Sequence, residues 1–171
     1  QVPIHPDQRI LVIGAGRLGQ LVAQSLALTG CDLQAVARHA RQRVLLEQRG
    51  IRWLEEGQVL NHQMDVVVEA TGTPEGFRLA RQAVRPRGTI VLKSTYQGEM
   101  VVNFSSLVVD EITLIGSRCG PFLPALRLLE SGRVVVQPLI DARYPLTQVE
   151  LALEHAARPG ALKILIDPKL D

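Results

Sequence analysis

The chain has 171 residues, of which 46% are hydrophobic and 21% charged, with 14 glycines, 10 prolines, 2 cysteines and few aromatics: three Phe, two Tyr and one Trp. That is one domain's worth of chain with ample Val, Leu, Ile and Ala for a layered core, which excludes a disordered tail. A balance of 19 basic against 17 acidic residues leaves +2, too little for a nucleic-acid surface by bulk charge, so no nucleic-acid partner is expected. The basic side is almost all arginine, 16 against 3 lysines, and arginine grips phosphate bidentately where lysine acts as a point charge. No apolar run approaches the roughly 18 residues of a membrane span, and no signal-peptide pattern is present, so no membrane is expected. Cys31 and Cys119 stand alone, without a CxxC or histidines at ligand spacing, which fits a reducing, cytoplasmic setting and predicts no metal site in these residues. Gln1 in place of Met leads us to expect a piece of a longer protein.

Residues 1–8 carry two prolines and read as a linker. Ile10 to Ile13 is a continuous apolar run of strand length, as in a strand buried on both faces. A helix with helically spaced Leu18, Leu21, Val22 and Leu26 follows to Leu28, then a strand Asp32–Ala37, a helix Arg41–Arg49, a weak strand Ile51–Leu54 and a strong one Asp65–Ala70. Pro74 sits where a first helical turn tolerates it, the helix runs to about Val84, and strands are predicted at Thr89–Leu92, Met100–Asn103 and Glu111–Ser117. After the Pro-Gly break Arg118–Pro124 come a helix to Ser131, a strand Val134–Ile140, a helix from Gln148 and a strand Leu162–Ile166. The alternation predicts an α/β fold, a Rossmann-type doubly wound parallel sheet in three αβα layers.

Gly14-Ala15-Gly16-Arg17-Leu18-Gly19 is a G-x-G-x-x-G segment between an apolar strand and an amphipathic helix, the setting its mechanism needs. Gly14 permits the sharp turn, Gly16 lets backbone approach a pyrophosphate, and Gly19 lets helix and sheet pack closely. The helix N-terminus then offers free N–H groups and a positive dipole end to phosphate. Selection of NAD usually places a carboxylate at the end of the second strand, where it binds the adenosine ribose diol and repels a 2′-phosphate. Here that position is Ala37, followed by Arg38, His39, Ala40, Arg41, Gln42 and Arg43. A missing acid and added cations point to NADP, with NAD still possible: Arg41 and Arg43 also read as solvated helix residues, and Arg38 as a side chain stacked on adenine.

The segments ILVIGAGRLGQLVAQ, VVVEATGTPEGFRLARQAVRPRGTIVL, DEITLIGSRCGPF and YPLTQVELALEHAARPGALKILI together resemble the medium-chain dehydrogenase/reductase family, the zinc-type alcohol dehydrogenases and their relatives. The resemblance runs from Arg9 to about Pro168. In that family a catalytic domain precedes the cofactor domain, and a C-terminal segment returns to the catalytic domain. The resemblance therefore implies a cofactor domain at 9–117 and a return segment at 118–171. It places Gly14, Gly16, Arg17, Leu18 and Gly19 at the pyrophosphate, Ala37 where NAD-preferring members have Asp, and Arg38, His39 and Arg41 as in NADP-selecting members. It further places Ala70, Thr71 and Gly72 near the central ribose, Ser94 and Thr95 at the nicotinamide carboxamide, and Lys163 near the pyrophosphate. The family's zinc ligands belong to the first domain and have no counterpart here, so no catalytic residue and no metal ligand is assigned. The implied activity is hydride transfer between nicotinamide and an alcohol or carbonyl substrate in the whole protein, with this chain binding cofactor without catalysis. Two alternatives stay open: a non-enzymatic NAD(P)-sensing module and the cofactor domain of a zinc-free quinone or enoyl reductase.

Apolar Val101, Val102, Ile112, Leu114 and Ile115 on the last strands suggest an edge that pairs in a homodimer. Tyr96 lacks the Lys four residues on that a short-chain dehydrogenase needs, and reads as a loop residue over a cofactor or a surface aromatic. Glu55-Glu56 reads as a solvated acid pair. Glu69 ends a buried strand, where an unpaired carboxylate is costly, so it is expected to bond neighbouring backbone or a cofactor hydroxyl.

Overall fold

The structure, a computed structural model, describes residues 1–96 and 98–170. The chain runs β1 (Arg9–Ile13), α1 (Arg17–Ala27), β2 (Asp32–Val36), α2 (Ala40–Glu47), β3 (Arg52–Leu54), β4 (Met64–Glu69), α3 (Pro74–Ala83), β5 (Val84–Leu92), α4 (Phe104–Val109), β6 (Thr113–Gly116), α5 (Phe122–Glu130), β7 (Ile140–Tyr144), α6 (Val149–Ala156) and β8 (Lys163–Ile166). The first six strands form one parallel sheet in the order β3-β2-β1-β4-β5-β6. Strand order reverses between β1 and β4, and in such sheets ligands bind in the crevice beyond the carboxyl ends of the strands at that point.

The period of two along β1 explains the layering. Ile10 and Val12 face a core that includes Ala23 of α1 and Leu46 of α2, while Leu11 and Ile13 face a second core with Leu79, Ala80 and Ala83 of α3. With both faces covered, the centres of β1 (Ile10–Ile13) and β4 (Val66–Val68) are wholly apolar, and each buried Val, Leu or Ile contributes about 1.5–3 kcal/mol. Helix α3 starts where Thr73 accepts a hydrogen bond from the Gly76 N–H and Pro74 fills the first turn, as its sequence requires.

Two predicted strands are absent. Met100–Asn103 has no regular structure; Asn103 instead caps α4, its side chain accepting from the Ser106 N–H. The β-branched pair Val101-Val102 pairs with no strand and leads directly into the α4 cap. Val134–Ile140 is likewise not a strand: the Val135 N–H and carbonyl are taken by the Gln24 side chain of α1, at 2.8 and 3.1 Å, and Pro138 lies in a short 3-10 turn, so pairing begins only at Ile140. Pro138 cannot donate to a ladder.

β7 and β8 form a separate two-stranded parallel sheet. This unit sits on α1 and α2 through Leu21, Leu45, Leu139 and Leu162 and through polar clasps. One clasp is Gln24 on Val135; another is Arg41, which pairs with Asp141 and donates to the Pro138 carbonyl at 3.1 Å. Asp141 in turn accepts from the Leu162 N–H at 2.5 Å, so α2, β7 and the approach to β8 meet at one carboxylate.

At the opposite end of the main sheet Asp65 joins three strands, accepting from the Arg9 N–H and the Arg85 side chain, each at 2.7 Å. Burial opposes its charge, but the Arg9 N–H, the Arg85 hydrogen bond and both positive charges outweigh it and hold the carboxyl below its usual value. A depressed folded pKa contributes stability above the unfolded value of about 4, lost as pH falls through the folded value. Asp65→Asn is therefore expected to lower unfolding stability by about 1–2 kcal/mol at pH 7. In denaturant titrations the gap to the parent chain should close progressively below about pH 4.

Candidate functional site

The crevice between β1 and β4 is lined by Gly14, Ala15 and Gly16, by Arg38, His39, Gln42 and Glu56, and by Ala70, Thr71, Glu75, Gly76 and Leu79, and encloses about 220 Å³. Its shape depends on how closely the chain passes itself. Gly14 has φ +96°, and a Cβ there would meet the Thr71 side chain at 2.7 Å. At Gly19 a Cβ would fall 1.8 Å from the Gly14 carbonyl oxygen, so α1 can begin against the turn only with glycine at that position. At Gly16, by contrast, a Cβ would meet nothing within 4 Å; the position is open toward the crevice it lines.

Helix α1 starts with Gly16 as its N-cap, with no side-chain cap and no acidic residue in its first turn. Its leading N–H groups and positive dipole end are thus left for an anion. Gln20 is almost fully buried and donates to the carbonyls of Ala15 and Gln42, at 3.4 and 3.0 Å, tying the glycine turn to α2.

On the β4 side, Glu69 is fully buried and fully partnered. Oε1 accepts from the Thr71 N–H at 2.6 Å and the Thr71 hydroxyl at 2.5 Å, Gly72 N–H reaches both oxygens at 3.2 and 3.3 Å, and Oε2 accepts from the Tyr96 hydroxyl at 2.5 Å. The expected backbone bonding of Glu69 is present, and Tyr96 is its further partner. The carboxylate fixes the turn Ala70–Gly72 and, through Tyr96, draws in the segment after β5. Ser94 and Thr95 lie against Gly72, with the Thr95 carbonyl 2.8 Å from where a Gly72 Cβ would stand. Burial, the bond to Glu69 and its charge all raise the Tyr96 pKa.

The cationic residues after β2 do not act together. Ala37 is buried, and Arg38 reaches the crevice with its Nε 2.5 Å from Glu56. Arg41 turns away to Asp141. Arg43 donates to the carbonyls of Ala37 and Arg38, pairs with Glu55 at 3.0 Å and lies 4.5 Å over the Trp53 ring. His39 lines the crevice and packs beside Gly160, whose added Cβ would stand 3.4 Å from its ring. Leu18 is exposed on the first turn of α1. Arg17 and Lys163 meet around a second, more apolar cavity between α1 and the β7–β8 unit, with Leu21, Leu139 and Leu165. Glu56, read from sequence as half of a solvated acid pair with Glu55, stands just beyond β3 at the same carboxyl edge as the glycine turn, where it lines the crevice and pairs with Arg38. Among the described residues no three His, Cys, Asp or Glu side chains converge to hold a metal ion.

Comparison with known proteins agrees with this architecture. A family model described as zinc-binding dehydrogenase matches residues 18–131. D-arabinitol dehydrogenase 1 of Uromyces fabae is 28% identical over 184 residues, covering 95% of this chain and 52% of that protein. Sorbitol dehydrogenase of Bombyx mori is 26% identical, covering 92% and 50%. The chain thus spans about half the length of the curated relatives it matches. Among solved structures, a thermostable alcohol dehydrogenase of Pyrobaculum aerophilum with cobalt and zinc bound superposes with a TM-score of 0.84 at 28% identity, over 96% of this chain and 52% of that one. A Sinorhizobium meliloti 1021 protein of zinc-binding-dehydrogenase type, solved bound to NADP, gives a TM-score of 0.86 at 23% identity, over 96% and 54%, a likeness of fold.

Tyr96→Phe leaves the buried Glu69 Oε2 with one long bond, and should cost about 1–3 kcal/mol at neutral pH. A raised folded pKa makes this contribution full below the unfolded tyrosine value of about 10 and lost above it as pH rises through the folded value. Unfolding curves of parent and variant should therefore stay apart from pH 7 to 9 and converge at more alkaline pH.

Proposed function

The chain belongs to the zinc-binding dehydrogenase family, and from that premise we propose that it is the dinucleotide-binding half of an NADP-preferring oxidoreductase acting on an alcohol or carbonyl substrate of the polyol class. One observation carries this reading: a glycine turn and an uncapped helix N-terminus face a crevice at the β1–β4 strand-order reversal. Gly14, Gly16, Arg17, Leu18 and Gly19 would hold the pyrophosphate, with Lys163 approaching from β8. Ala37, Arg38 and His39 would receive the adenosine ribose and its 2′-phosphate, while Arg41 supports them from behind by fixing α2. Ala70, Thr71 and Gly72 would line the central ribose, and Ser94 and Thr95 the carboxamide. When bound, the nicotinamide supplies a hydride acceptor or donor. The residues of this chain bind and orient it; Glu69 and Tyr96 keep two of the contacting turns in register.

The described residues do not fit zinc, so any zinc of the whole protein would be held outside them, as would the substrate-facing groups. Residues 1–8 would be a linker, 9–117 the cofactor domain and 118–171 a segment returning to the partner domain. The edge strand β6, with Leu114 exposed, supports a homodimer joined edge to edge. Two free thiols support a reducing, cytoplasmic setting, and no helix of the described residues is long and apolar enough to cross a membrane.

Fluorescence titration of the full chain with NADPH and NADH tests the reading. Both should bind, NADPH more tightly, and Arg38→Ala should weaken NADPH about tenfold or more while changing NADH less than about threefold. Gly16→Ala should keep the melting temperature yet lose cofactor, because its methyl group enters the crevice and not the core. Gly19→Ala should instead destabilise the fold by about 1–3 kcal/mol or more. No binding of either dinucleotide would refute the proposal.

A further inference from the structure

On the reading that the crevice takes a dinucleotide, we propose that Glu56 sets selectivity at the adenosine 2′ position, acting from beyond β3 as the carboxylate that the end of β2 lacks at Ala37. The argument starts from charge. Of the three arginines after β2, Arg41 is committed to Asp141 and the Pro138 carbonyl, and Arg43 to two carbonyls, Glu55 and the Trp53 face. Arg38 is the arginine of the three that lines the crevice, and Glu56 lines it beside Arg38. The two are joined at 2.5 Å through Arg38 Nε. The mouth of the adenosine side is therefore not the cationic patch that the run Arg38–Arg43 suggests: Arg38 and Arg43 are matched one for one by Glu56 and Glu55.

This neutrality has opposite effects on the two cofactors. A 2′-phosphate needs the Arg38 charge, which Glu56 already satisfies, and it brings a dianion next to a carboxylate. A free 2′-hydroxyl needs an acceptor; Ala37 offers no side chain for it, and Glu56 is a carboxylate on the same wall. Glu56 thus weakens NADP and favours NAD, and the chain discriminates between them less sharply than three free arginines would. Both side chains of the pair are substantially exposed, 61% for Arg38 and 45% for Glu56, so the carboxylate can be neutralised without opening the core.

The test is Glu56→Gln in the full chain, titrated with NADPH and NADH at fixed ionic strength and checked by thermal melting. NADPH should bind about tenfold more tightly and NADH at least about threefold more weakly, the scale of one charge-assisted hydrogen bond gained or lost, with the melting temperature unchanged. Equal shifts for the two cofactors, no shift, or weaker NADPH binding would overturn the assignment, the last because it would make Glu56 a prop that orients Arg38 toward phosphate. If neither cofactor binds the parent chain, it is the dinucleotide reading that fails.

Discussion

The distance between the Gly14 carbonyl and the start of α1 governs what can be built at the carboxyl edge of the sheet. A single methyl group at Gly19 would push the helix off the turn. With glycine there, α1 begins directly after β1, its N-cap Gly16 lines the crevice, and Gln20 is carried inward to lock Ala15 to α2. The uncapped end of α1 at the crevice is therefore a product of backbone packing, and no side chain has to be spared to make it.

A second constraint acts from the other side of the strand-order reversal. Glu69 carries a charge into a fully enclosed position, and every hydrogen bond it accepts comes from a segment that touches the crevice or lies next to it. Thr71, Gly72 and Tyr96 thus share one electrostatic anchor. Loops that would otherwise move independently are set with respect to each other by a single carboxylate, which is how a mobile edge of an α/β sheet can present a defined wall.

Most of the sheet was legible in the residues because β1, β4 and the helices between them satisfy local and global demands together: apolar runs, a glycine turn, a capped and proline-started α3. The failures have a common cause. Met100–Asn103 and Val134–Ile140 have β-branched sequence but are claimed by other contacts, the first ending in the Asn103 cap of α4 and the second bonded at Val135 to Gln24, and such contacts are not written in a local pattern. The site shows the same limit. Gly14, Gly16 and Thr71 line one crevice, Gly14 and Gly16 because the glycine motif encodes backbone geometry. Arg38, Arg41 and Arg43 look equivalent in sequence and have three different fates, because each is claimed by a carboxylate or carbonyl that is distant in the chain or lies on another element. Glu56 reads in sequence only as part of a solvated acid pair for the reciprocal reason: an exposed acid gains meaning only from the cation opposite it.

The clasp between Arg41 and Asp141 couples two properties that are usually free to vary separately. Position 41 lies in the stretch where dinucleotide-binding folds exchange residues to change their cofactor, yet here it holds the β7–β8 unit against α2. A substitution that elsewhere would retune recognition would in this chain loosen the attachment of its last third. On the reading proposed above, tuning of cofactor preference would fall to Arg38 and Glu56, both substantially exposed.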